Sequence, residues 1–103
     1  FDDDATLQEI SRMHDEIGML VDPHTATGTA AARLFGGPNG PVGPMVTLAT
    51  AHPAKFPDAV EQATQTRPTL PEHLADLSDR KERTQTVAND LAAVQALVES
   101  LTR

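Results

Sequence analysis

The sequence predicts an α/β fold, helix-rich and of order α-α-β-α-α-β-α, with one or two short strands that belong to a larger sheet. Apolar residues recur at helical spacing in several stretches, beginning with Leu7, Ile10, Met13 or His14, and Ile17. One short apolar run, residues 45–49 (MVTLA), is bounded by breakers as an interior strand is. Two strands of roughly five residues do not make an independently stable sheet, which needs about three. The strand at Met45 therefore expects neighbours outside this chain.

The elements follow in order. Asp4 or Thr6 is placed to cap the first helix, and Thr6-x-x-Glu9 fits the capping box; Gly18 ends the run. Asp22-Pro23 opens a second helix, because an Asp cap followed by Pro at the first helical position satisfies the free amides and presets φ. Gly36-Gly37 ends it. Its face is built of small residues, Ala26, Thr27, Gly28, Ala30, Ala31 and Ala32, which suits close packing against a sheet or ligand. Residues 36–44 (GGPNGPVGP) are a loop, since neither helix nor strand continues through so many Gly and Pro. It lacks the spacing of a phosphate loop.

After the expected strand at 45–49, Lys55-Phe56-Pro57 starts a third helix with Phe56, Val60 and Ala63 inward. Residues 67–77 (RPTLPEHLADL) supply a fourth start, with Pro71 near the first turn and Leu74 and Leu77 toward the core. Residues 84–87 read as a second strand. Asn89 caps a last helix carrying Leu91, Val94, Leu97 or Val98, and Leu101.

Composition narrows the function classes. A chain of 103 residues supports one core at most, and here alanine dominates the apolar share, with Phe1, Phe35 and Phe56 the only aromatics. The core is thin for a free-standing domain. The start at Phe1, without an initiator Met, favours a cut or processed segment. Without cysteine there is no thiolate nucleophile, zinc-thiolate site or disulfide framework, and the cytoplasm is the default location. Net charge is −7 and the only basic cluster, Arg80, Lys81 and Arg83, alternates with Asp79 and Glu82; nucleic acid is an unsuitable partner. No apolar run reaches the ~20 residues that span a bilayer, so no membrane partner is expected.

The corner that follows the expected strand, Thr50-Ala51-His52-Pro53, carries the functional interest. In open α/β sheets ligands bind beyond the carboxyl ends of strands, and a hydroxyl held there is a fixed donor or acceptor. The runs VTLATAHPAKFPDAVEQA, GMLVDPHTATGTAAA and NDLAAVQALV together resemble the C-terminal part of the threonine synthases, pyridoxal-phosphate enzymes of the tryptophan-synthase-β fold (fold type II). The resemblance covers nearly the whole chain, and its most specific parts are DPHTA at 22–26 and TAHPAKF at 50–56.

That resemblance implies that residues 1–103 are the C-terminal part of the catalytic domain of an enzyme converting O-phospho-L-homoserine and water into L-threonine and phosphate. The Schiff-base lysine and the Gly-rich phosphate loop of the family lie in an N-terminal remainder, which becomes a partner of this segment; neither Lys55 nor Lys81 fits that role, and the segment alone is expected to be inactive. It further implies that Thr50 hydrogen-bonds the pyridine nitrogen of the cofactor, and that Asp22, His24 and Thr25 line the cofactor face. The residues themselves also allow plainer roles: Asp22 as an N-cap before Pro23, and His24 and His52 as structural histidines on backbone carbonyls rather than metal ligands. A non-catalytic binding or regulatory module sharing the fold is the alternative at the level of function, and an acidic helical interaction protein is a third.

Overall fold

The computed structural model describes residues 1–37 and 39–102, and divides into two units, Phe1–Glu72 and His73–Arg103. In the first, helix α1 spans Asp3–Ile17. Its cap is Asp2, whose carboxylate accepts from the Ala5 amide at 2.9 Å. The expected cap at Asp4 or Thr6 is thus corrected by two or more residues. With three aspartates in succession, the earliest one able to cap wins, because Asp3 and Asp4 then sit in the first turn, where the helix dipole favours them. Thr6 instead donates its hydroxyl to the Asp2 carbonyl at 2.8 Å. Glu9 forms no capping box; it is buried and faces α2.

Gly18 ends α1 in the left-handed region, φ +69°, its amide directed to the carbonyls of Met13 and His14. Nothing lies within 4 Å of where a Cβ would stand. Gly18→Ala is therefore expected to cost only the backbone term, about 1 kcal/mol, read as a lowered Tm with an unchanged helical circular-dichroism spectrum.

Helix α2 (Pro23–Phe35) and helix α3 (Pro57–Thr64) both begin with Pro at the first turn, as expected. α1 packs on each of them. The core at this junction consists of Ile10, Met13, Val21, Ala26 and Val60, with Leu7, Leu20 and Ala63 against it. Phe56 and Ala63 are half-buried, and Phe1 and Phe35 are exposed, so the aromatics contribute little to the interior.

The α/β expectation is contradicted. Among the described residues none lies in a strand, and the order is α1, α2, a 3₁₀ turn at Pro53–Lys55, α3, 3₁₀ turns at Glu72–Leu74 and Leu77–Asp79, and helix α4 at Leu91–Leu101. A strand exists through ladder hydrogen bonds to a neighbour. Residues 45–49 are apolar and residues 84–87 (TQTV) mostly β-favouring, but neither has a ladder partner; both run irregularly, with Val46 and Leu48 largely exposed. Residues 45–48 instead lie across α2: a Cβ on Gly28 would stand 2.7 Å from the Thr47 methyl. Thus the small-residue face serves close approach, as its composition indicates, though of an irregular segment and not a sheet. The 36–44 loop holds for its described residues; Pro38 lies outside them.

The expected fourth helix is likewise replaced by two single turns. Asp76, Ser78 and Asp79 are residues that compete with helix by bonding locally, and Asp76 is engaged by Arg80 at 2.6 Å. Leu77 is exposed rather than core-facing. In the second unit α4 is capped by Asp90, not Asn89: its carboxylate accepts from the Ala93 amide at 2.9 Å. Leu91, Val94, Val98 and Leu101 are all exposed on it. No helix among the described residues is long and apolar enough to cross a membrane.

Candidate functional site

The start of α2 concentrates polar groups on one buried carboxylate. Asp22 is fully buried. Its Oδ2 accepts from the His24 amide and from His24 Nδ1, both at 3.0 Å. Its Oδ1 accepts from the Thr25 amide at 3.2 Å and from the Thr25 hydroxyl. Two donors on each oxygen satisfy the group. Burial pushes the carboxyl up, but hydrogen bonds from the Thr25 hydroxyl, the His24 and Thr25 amides and the His24 ring outweigh it and hold it below the ordinary aspartate value. Asp22 is therefore an ionised, acceptor-only anchor.

This arrangement separates the three residues the sequence groups together. Asp22 and Thr25 are buried and mutually consumed, which fits the capping role. His24 is different: its side chain is 61% exposed while Nδ1 is held by Asp22. Since an ionised carboxylate can only accept, Nδ1 carries the hydrogen, and in the neutral ring Nε2 carries the free lone pair.

A second element supports the ring. Phe56 lies 5.0 Å from His24 between ring centroids, tilted by 50°, and Lys55 Nζ lies 5.5 Å from the Phe56 centroid. At 5–6 Å a tilted pair and a cation over a ring are both favourable geometries. Phe56 arrives here because two turns follow each other: His52 Nδ1 accepts from the Ala54 amide at 3.1 Å and caps the turn at Pro53–Lys55, and Pro57 then opens α3. The proline-stiffened corner thus aims Phe56 at the start of α2, with Lys55 over the Phe56 ring. The DPHTA and TAHPAKF runs are brought together through His24 and Phe56, a contact with no signal in sequence spacing. Thr50 is exposed and takes no part in the hydrogen bonds of Asp22. Among the described residues no group of three or more His, Cys, Asp or Glu side chains could hold a metal ion.

Beside this site, Gly28, Ala31, Ala32 and Phe35 of α2 face residues 45–48 across an open groove of about 310 Å³.

Residues 25–98 match the family model for the C-terminal region of threonine synthase. Threonine synthase of Pseudomonas aeruginosa is 50% identical over 97 residues, a match covering 93% of this chain and 20% of that protein. The Escherichia coli threonine synthase is 35% identical over 96 residues, covering 93% of this chain and 22% of its own length. A crystal structure of threonine synthase from Brucella melitensis with PLP bound aligns with a TM-score of 0.74 at 42% identity, covering 98% of this chain and 21% of that one. The chain therefore spans about a fifth of the length of the relatives it matches.

Proposed function

The chain belongs to the threonine synthase family, as its C-terminal region, and on that premise we propose that it forms one wall of a pyridoxal-phosphate active site. The reaction is conversion of O-phospho-L-homoserine and water into L-threonine and phosphate. The remainder of the polypeptide contributes the cofactor-binding lysine and the phosphate cradle, and residues 1–103 are part of the same catalytic domain. The setting is the cytoplasm. The observation that carries this reading is the junction of His24 with Phe56, which joins the two most family-like runs around an exposed imidazole.

The donor set suits the cofactor. The Thr50 hydroxyl is exposed and neutral, and it can bond a pyridine nitrogen without forcing a proton onto it, as a carboxylate in that place does. When bound, pyridoxal phosphate supplies the electron sink through which protons on substrate carbons become removable. This chain's own part is to fix the ring through Thr50 and to present His24 from the start of α2. Asp22 and Thr25, which the family resemblance also places at the cofactor face, act from behind it: Asp22 holds His24, and Thr25 holds Asp22. Lys55 stays on Phe56.

Phosphate release from O-phospho-L-homoserine by the complete protein, with and without pyridoxal phosphate, tests the reading. Turnover that depends on the cofactor supports it; none in either case removes it. In the active protein Thr50→Ala is expected to lower kcat/KM by roughly 2- to 13-fold, the worth of one hydrogen bond of ~0.5–1.5 kcal/mol, while Thr50→Ser retains most of the rate.

A further inference from the structure

We propose that Asp22 and His24 form a positioning pair: the buried carboxylate fixes the His24 tautomer so that Nε2 is offered, as a hydrogen-bond acceptor, to a donor of the reacting pair in the assembled site. The proposal rests on the enzyme reading above and assigns separate roles within it.

Three observations carry it. The Asp22 carboxylate is fully buried and satisfied by groups of its own segment, so it has no capacity left for a ligand. The imidazole is the polar end of this network that reaches solvent, 61% exposed. Its plane is held on two sides by elements far apart in the chain, Asp22 at 3.0 Å and Phe56 at 5.0 Å between centroids. A capping residue alone does not require an exposed ring braced in this way. Carboxylate-held imidazoles have one defined free nitrogen, and that is what a positioned acceptor needs.

An acceptor nitrogen selects donors. The reaction has two: the water it consumes and the ammonium of the amino-acid substrate. They share the same chemistry toward Nε2, and kinetics separates them. Loss of a contact to water appears in kcat, whereas loss of an anchor for the ammonium appears in KM.

The test uses the complete protein and three substitutions. His24→Asn keeps a polar group near Nδ1, within reach of Asp22, and removes the one at Nε2; His24→Gln does the reverse. Asp22→Asn keeps the helix cap and removes the acceptor-only anchor. Expected are a kcat about a hundredfold lower, or a KM about tenfold higher, in His24→Asn, with His24→Gln the milder change. The independent readout is ¹⁵N spectroscopy of histidine-labelled protein without substrate, His24 being assigned by its disappearance in His24→Gln. Nδ1 should carry the hydrogen in the parent protein and cease to do so uniquely in Asp22→Asn.

His24→Asn with parental kinetics, or milder than His24→Gln, overturns the pair as a presenting device and leaves it a cap. A parent Nε2–H tautomer overturns it as well. Should the parent protein turn over no substrate, the enzyme reading falls and takes this role with it; normal parental turnover with an indifferent His24 strikes the pair alone.

Discussion

Arg33→Ala should lower stability by about 2–3 kcal/mol, far more than loss of a surface ion pair. Glu9 is buried, and Arg33 Nε donates to its Oε1 at 2.9 Å across the α1–α2 contact, while a second guanidinium nitrogen donates to Glu16 at 2.9 Å. Removing one member of a buried pair leaves an uncompensated charge and costs ~3–5 kcal/mol. Two features reduce that figure here. Arg33 is itself part-exposed, and Arg12 remains 3.7 Å from Glu9. The shift in urea midpoint at constant m reads the effect. In the double variant Glu9→Leu/Arg33→Met most of the loss should be recovered, because an apolar pair of similar volume replaces a costly ionic one. A loss below about 0.5 kcal/mol in Arg33→Ala would class the pair with exposed ones.

Asp22→Ala is expected to cost a similar amount, about 2–3 kcal/mol. Loss of an N-cap accounts for about 1 kcal/mol, and the remainder comes from the Thr25 hydroxyl, which is left buried without its acceptor. Asp22→Asn should cost about 1 kcal/mol, because Asn also caps. The pH dependence follows from the direction of the shift. The folded carboxyl sits below its ordinary value, so its stabilisation is complete above the unfolded value of about 3.9 and is lost as pH falls through the lower folded value. Urea midpoints measured from neutral pH into acid should show this loss in the parent protein, and Asp22→Asn should flatten it.

Where a signal is local, the sequence carries it. Asp22-Pro23 starts α2 and Gly18 and Gly36 stop helices because caps and stops involve residues within one turn of each other. The cap misplacements at Asp2 and Asp90 are of the same local kind: runs such as Asp2-Asp3-Asp4 and Asn89-Asp90 offer several competent caps, and residue type does not choose among them. The strands failed for a different reason. An apolar run bounded by breakers states only that a segment is extended and apolar; a strand also requires a partner, and residues 45–48 find α2 instead. Long-range pairing was equally hidden in the site. Glu9 and Arg33 are 24 residues apart, and nothing in either neighbourhood announces the other. The same holds for His24 and Phe56. The motifs named the residues that gather at the start of α2, and the structure sorted them into buried support and exposed ring.

The most direct measurement is a crystal structure of the complete protein with pyridoxal phosphate bound. The Thr50 hydroxyl is expected within hydrogen-bond distance of the pyridine nitrogen, with His24 Nε2 open toward the same cavity and Asp22 still on Nδ1. Cofactor bound with Thr50 and His24 both remote from it would contradict the claim that this chain forms a wall of the site.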